Sequence, residues 1–266
     1  MHKTMQEILD LDSFPIARRH SDAYGELVSR CQAELRDTGM FNLEGFVKAD
    51  ACKAAVQEIA PVMRDHSFTH RRSHNIYFLD TVPGLDPGHP ALNKVETVNH
   101  TVCADQMSGM IIHKIYEFPS LLEFLADVMA KEQLYLMDDP LARVNVMAYR
   151  QGEALNWHFD RSEFTTTLLL QSPESGGEFE YRSGLRGDDD PNYQGVAKLL
   201  DGTDPDKQKL NLSPGTLNIF RGKNTAHRVT AVQGKTERMI AVFSYYDFPG
   251  KIFSENERIG FYGRPA

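Results

Sequence analysis

Two side chains in the stretch ALNWHFDRSEF, residues 154–164, have the chemistry of metal ligands. His158 offers an imidazole nitrogen and Asp160 a carboxylate, one residue apart. On an extended strand, side chains at i and i+2 share a face, so the two would project together while Phe159 points away. Imidazole with carboxylate suits a borderline cation such as Fe(II), Mn(II) or Zn(II). A His-x-Asp triplet is frequent by chance, so a metal reading needs a third ligand from a distant strand. His227, in NTAHRV, stands where a polar turn leads into a strand.

Two histidines and one carboxylate on one face of a metal leave the opposite positions open. That is the facial triad of non-haem Fe(II) oxygenases. With ten residues between it and His227, Arg238 opens the apolar run RMIAVFSYYDF. An arginine on an apolar strand needs a reason, because the residue is rarely buried unpaired. Its planar guanidinium can bind a carboxylate through two hydrogen bonds. An edge-strand arginine with its head in water is the plainer alternative.

The elements that must position these groups begin near residue 133. QLYLM, ARVNVMAYR, NWHFDRSEFTTTLLLQ, GEFEYR, GTLNIFRG, HRVTAV and RMIAVFSYYDF are short, β-branched or aromatic, and bounded by Gly, Pro, Asp and Asn. Such a series predicts an all-β sandwich or barrel. Before it the text is mostly helical. SDAYGELVSRCQAELRDTG has Ser21 or Asp22 as a cap, Tyr24, Leu27, Val28, Cys31 and Leu35 at helical spacing, and Gly39 as a stop. A second helix is expected from Asp50, with Val56, Ile59 and Met63 on one face, and a third over 119–132, with Leu122, Leu125, Val128 and Met129 in a stripe. HRRSHNIYF, residues 70–78, reads as a strand edge or loop. The fold class is therefore mainly β with helical support. Nothing marks a linker, so 1–266 is expected to be a single domain, with 1–132 mostly helical and 249–266 a C-terminal tail. Residues 184–211 form a long acidic insert, either a lid or a solvated excursion.

Composition bounds the partners. The net charge of -8 argues against nonspecific nucleic-acid binding, which needs a basic surface. Cys31, Cys52 and Cys103 follow no CxxC spacing and read as reduced, cytoplasmic thiols. The first residues contain no continuous apolar signal-peptide core, and no apolar run reaches the ~20 residues that span a bilayer. A homodimer is compatible with all of this.

Taken together, His158-x-Asp160 … His227-x10-Arg238 resembles the Fe(II)/2-oxoglutarate-dependent oxygenase superfamily. Further matches are NVMAYRQGEALNWHFD, SGGEFEY, SPGTLNIFRG and HRVTAVQGKTERMIAVFSYY, and the likeness covers roughly 133–248. The resemblance implies a double-stranded β-helix (a jelly roll, cupin-like) with the N-terminal helices packed on it. It implies that His158, Asp160 and His227 hold Fe(II), and that Arg238 binds the distal carboxylate of 2-oxoglutarate. Asn145 and Tyr149 would line the cosubstrate pocket, and O2 would complete the reactants.

LRDTGMFNLEGFV, HRRSHNIYF and HFDRSEFTTTLLLQSPESGGEFEYR also look like the bacterial group of free-amino-acid radical halogenases and their hydroxylating relatives. Those halogenases have Gly or Ala in place of the carboxylate, which makes room for chloride. Asp160 fills that position here, so the resemblance implies hydroxylation of an unactivated C–H of a free amino acid or similar small metabolite, with release of succinate and CO2. Arg71 or Arg72 would clamp a substrate carboxylate, with His74 and Asn75 as further donors. The alternatives are desaturation, cyclisation or halogenation at the same site, or a catalytically silent jelly-roll metal-binding module.

Overall fold

The β-branched and aromatic runs pair as two facing antiparallel sheets in a computed structural model that describes residues 3–266. In chain order the strands are β1 (Met40–Leu43), β2 (Phe68–His74), β3 (Val95–Val102), β4 (Tyr135–Leu136), β5 (Val144–Tyr149), β6 (Leu155–His158), β7 (Thr165–Gln171) and β8 (Ser175–Gly176). They continue as β9 (Phe179–Arg182), β10 (Gln208–Leu210), β11 (Leu217–Phe220), β12 (Ala226–Val229), β13 (Val232–Gln233), β14 (Arg238–Phe243) and β15 (Tyr245–Tyr246). The larger sheet has seven strands in the order β1-β11-β7-β14-β5-β3-β2, and the smaller has four in the order β10-β9-β12-β6. Two short ribbons, β13-β8 and β15-β4, complete the jelly roll. Helices are α1 (Met5–Ile8), α2 (Asp22–Thr38), α3 (Ala49–His66), α4 (Ile111–Tyr116), α5 (Pro119–Val128), α6 (Tyr193–Leu200) and α7 (Glu255–Tyr262).

The two faces of the larger sheet differ in chemistry. One carries Val144, Val146, Ala148, Leu168, Ala241 and Phe243, buried in a core shared with α2, α3, α4 and α5. Each Val, Leu or Phe among them, fully buried, stabilises the fold by roughly 1.5–3 kcal/mol. The other face carries Arg72, Asn99, Asn145, Tyr149, Thr167 and Arg238. It looks toward the smaller sheet, where Phe220 of β11 packs against His227 of β12 with ring centroids 4.7 Å apart. Apolar burial is thus concentrated on the helical side, and the space between the sheets mixes polar groups with a smaller apolar cluster around Val232 and Ile240.

Ser21 caps α2 by accepting the Tyr24 N–H, and Gly39 ends the helix in the left-handed conformation. The helix α3 starts at Ala49, with Lys48 as its cap, and buries Ala51, Cys52, Ala55, Ile59 and Met63 while Val56 stays half-buried. On α5 the buried stripe is Leu121, Phe124, Leu125 and Val128, displaced by one residue from the expected Leu122. The N-terminal part is less purely helical than its text implies. It also supplies β1, β2 and β3, which cover the edges that β11 and β5 would otherwise expose. The insert 184–211 contains α6 and β10, and α6 buries Val196 and Leu199 with Trp157 and Phe159 behind the smaller sheet. The three cysteines are free and buried, and burial pushes the Cys52 thiol up to about 11. Among the described residues, no helix is long and apolar enough to cross a membrane.

The C-terminal residues form a docked helix where a tail was expected. Asp139, fully buried, accepts the N–H groups of Leu141 and Ala142 on one oxygen, and those of Phe253 and Arg258 on the other. Burial pushes its carboxyl up, but the Arg258 guanidinium and three backbone N–H groups outweigh that and hold it below the usual carboxylate value. The stability it contributes is complete above its unfolded pKa, about 3.9, and disappears as pH falls through the lower folded value. Asp139→Asn should therefore lose about 3 kcal/mol at pH 7, measured by denaturant unfolding. Between pH 4 and 2 its stability should fall less steeply than that of the unsubstituted protein.

Candidate active site

His227 meets the chain-distant pair His158 and Asp160 between the sheets. His158 ends β6 and His227 lies directly opposite it on β12, with ring centroids 4.0 Å apart. Asp160 stands in the loop just after β6, so strand alternation is not what places it. Its backbone N–H donates to the Gly222 carbonyl at 3.1 Å, and the Thr165 hydroxyl donates to its Oδ2. Asp160 Oδ1 is 3.5 Å from His158 Nε2, and Oδ2 is 3.5 Å from His227 Nε2. One ligand atom from each residue falls within a 4.8 Å group.

Backbone carbonyls decide which imidazole nitrogen is free. His158 Nδ1 is 2.8 Å from the Asn156 carbonyl, and His227 Nδ1 is 3.1 Å from that of Thr225. A carbonyl only accepts, so each Nδ1 carries the proton and each Nε2 presents its lone pair. Burial, then the neighbouring His158, lowers His227 to about 4, against the opposing pull of Asp160. The ring is neutral at physiological pH, as a metal ligand must be. Burial alone would raise Asp160, but His227, His158 and the Thr165 hydroxyl hold it well below the usual carboxylate value. Two imidazoles and one carboxylate form a donor set suited to a divalent transition metal.

Arg238 is only 2% exposed and faces Tyr149 across the β14–β5 ladder. Its Nε donates to the Gly177 carbonyl at 3.0 Å, and its Nη1 is buried without a partner. Among the described residues no carboxylate pairs with it. Burial lowers its pKa to about 10, so it remains cationic at neutral pH. A buried cation with a free N–H and no acid fits an incoming anion. Tyr149, also buried, lies within electrostatic reach of both Arg238 and Asp160. Asn145 shares that face, but its amide donates to the Leu141 carbonyl and accepts the Tyr262 hydroxyl, which ties it to α7.

The segment 71–75 divides by face. Arg71 points to the outer side, is exposed, and pairs with Glu96. His74 is buried, with Nδ1 on the Asn75 carbonyl and Nε2 on the Thr97 hydroxyl. Asn75 accepts the N–H groups of Tyr77 and Leu79 and builds the turn. Arg72 is the member left over: half-buried on the inner face, in no ion pair among the described residues, with its guanidinium 4.8 Å above the Phe78 ring. Phe78 in turn stacks on His74 at 4.3 Å and meets His158 edge-on at 5.7 Å. Sequence reasoning passed over Phe78, Thr165 and Gly222. Only Thr165, five residues beyond Asp160 in a TTT run, had a local signal, namely alternation toward the inner face.

The model of the family described as Halogenase D matches residues 24–248, most of the chain. This protein belongs to the halogenase D family. No curated protein matches it by sequence. Among solved structures, the non-haem α-ketoglutarate-dependent epimerase SnoN from nogalamycin biosynthesis is 14% identical, with 84% of each chain covered and a TM-score of 0.56. HygX from Streptomyces hygroscopicus, with nickel and 2-oxoglutarate bound, is 14% identical over 84% of this chain and 88% of that one, with a TM-score of 0.54. An oxidoreductase of the 2OG-Fe(II) oxygenase family from Burkholderia pseudomallei is 13% identical over 84% and 92%, with a TM-score of 0.51. At these identities the likeness establishes the fold of this halogenase D family member as the jelly roll of 2-oxoglutarate oxygenases.

The unpaired guanidinium carries a stability consequence. Exchanging a buried, uncompensated charge for an apolar side chain of similar length is neutral to stabilising. Arg238→Met should raise the unfolding free energy of the metal-free, cosubstrate-free protein by about 1 kcal/mol, read from its thermal midpoint.

Proposed function

We propose that this protein is an Fe(II)- and 2-oxoglutarate-dependent oxygenase that hydroxylates an unactivated C–H of a free amino acid or amino-acid-like metabolite. The observation that carries the reading is the pairing of the His158–Asp160–His227 donor set with the buried, acid-free guanidinium of Arg238 between the same two sheets. Bound Fe(II) would supply the oxidation, with 2-oxoglutarate converted to succinate and CO2 and one oxygen atom of O2 delivered to the substrate.

The residues of the chain have separate tasks. His158, Asp160 and His227 hold the metal, with both imidazoles oriented by their Nδ1 bonds to backbone carbonyls. Arg238 binds the distal carboxylate of 2-oxoglutarate, which supplies the anion its Nη1 lacks. Tyr149 borders that pocket. Arg72 holds a substrate carboxylate, and Phe78 forms an aromatic wall between it and His158. Arg71, His74 and Asn75, already bonded to other protein groups, build the segment that presents Arg72. The 184–211 insert could serve as a lid only together with the loop before β3, because the Tyr193 hydroxyl donates to the Pro83 carbonyl.

The description of the family favours a second reading, chlorination. Asp160 opposes it, since a halide on the metal would need the position this carboxylate fills. The deciding experiment incubates the Fe(II)-loaded protein with 2-oxoglutarate, O2 and each of the twenty amino acids and close derivatives, with chloride present. A substrate-dependent mass gain of one oxygen with stoichiometric succinate is expected. A chlorinated product would replace the hydroxylase reading, and absence of 2-oxoglutarate binding would favour a silent metal-binding module. His227→Ala should abolish metal-dependent succinate formation. Arg238→Ala should raise the 2-oxoglutarate requirement roughly 10–100-fold with metal binding retained, as measured by succinate release and metal titration. Arg72→Ala should raise the substrate KM about 10-fold and leave the 2-oxoglutarate requirement unchanged.

A further inference from the structure

We propose that Thr165 is a positioning residue that fixes the Asp160 carboxylate in the metal donor set, in a cradle that only glycine at position 222 permits. The inference rests on the metal reading given above and extends it to residues outside the ligand set. Asp160 lies beyond the end of β6, so the ladder does not orient its side chain. The terminal torsion of an aspartate is broad and nearly two-fold, and an unanchored carboxylate can turn either oxygen, or both, to a cation. Here two contacts remove that freedom. The Asp160 N–H is held by the Gly222 carbonyl, and the Thr165 hydroxyl, from the neighbouring strand β7, donates to Oδ2. Held this way, Oδ1 lies 3.5 Å from His158 Nε2 and Oδ2 lies 3.5 Å from His227 Nε2.

A hydrogen bond to Oδ2 draws off its electron density and fixes the plane of the group. Thr165 therefore keeps the carboxylate turned toward the two imidazoles instead of leaving it free to rotate out of the donor set. Gly222 makes the arrangement sterically possible. A Cβ at 222 would collide with Thr165 Oγ1 and fall 2.7 Å from Asp160 Oδ2 and 2.9 Å from Asp160 Cβ. Gly222 needs no unusual backbone conformation, so close approach alone explains why a larger residue would disturb the pair.

The test is an anaerobic titration of the metal-free protein with Mn(II), and the visible absorption of its Co(II) complex. Thr165→Val keeps the shape of the side chain and its strand preference but lacks the hydroxyl. It is expected to bind Mn(II) about 10–100-fold more weakly and to change the Co(II) bands, which report coordination number and geometry. Thr165→Ser should restore both. Gly222→Ala, which keeps the hydroxyl but displaces it, should reproduce the weakening. If Thr165→Val does not fold by circular dichroism, the comparison of Thr165→Ala with Thr165→Ser takes its place. Unchanged Mn(II) affinity and Co(II) spectrum on loss of the hydroxyl would overturn the assignment alone, as would a loss that serine fails to restore. An unsubstituted protein that binds neither Mn(II) nor Co(II) would overturn the metal reading as well, so the two failures are distinguishable.

Discussion

One face of the larger sheet must carry buried polar and charged groups among its apolar ones, and the rest of the architecture answers to that constraint. A sheet normally gains its stability by burying apolar residues on the face it presents to a partner sheet. Here the face toward the smaller sheet carries Arg238, Tyr149, Asn145, Thr167 and Arg72. The compensating burial lies on the opposite face, where Val144, Val146, Leu168 and Phe243 pack on the helices. Without α2, α3, α4 and α5 the sheet would expose its apolar side and have little left to hold it. The helical N-terminal text is thus part of the stability of the site, although none of its helices contributes a candidate ligand.

Within the polar layer, backbone groups do much of the electrostatic positioning. Two carbonyls set the tautomers of His158 and His227, and a third, that of Gly177, accepts the Arg238 Nε–H. Carbonyls orient without neutralising, so both imidazoles keep a lone pair free and Arg238 keeps its positive charge uncompensated. A carboxylate beside Arg238 would have stabilised the empty fold and blocked an anion. The contrast with Asp139 is instructive. That carboxylate is buried, paired with Arg258 and saturated by four N–H donors, and it serves to anchor α7.

Much of the candidate site was legible because its residue types are costly elsewhere. An arginine opening an apolar strand, and histidines flanking a carboxylate at turn-to-strand junctions, have few structural explanations. The pattern of short bounded β runs identified the fold class for a similar reason, since turn chemistry and alternation are local properties. Less legible was the segment 71–75, where four polar residues look equivalent as text. Their faces, and partners on β3, leave Arg72 inward and without an acid while Arg71, His74 and Asn75 are engaged. Asn145, which the resemblance places at the pocket, lies on the inner face, but the Tyr262 hydroxyl from α7 occupies its carbonyl.

By itself the sequence determined which groups are chemically able to hold a metal and an anion, and which runs form strands or helices, because side-chain chemistry and short-range periodicity are written residue by residue. Tertiary structure decided how Asp160 is held. Strand alternation from His158 suggests a shared face, yet β6 ends before Asp160 does. The carboxylate is aimed by a hydroxyl five residues on and a glycine carbonyl more than sixty residues away. Those contacts exist only once the two sheets face each other, since no local rule links residue 160 to residue 222.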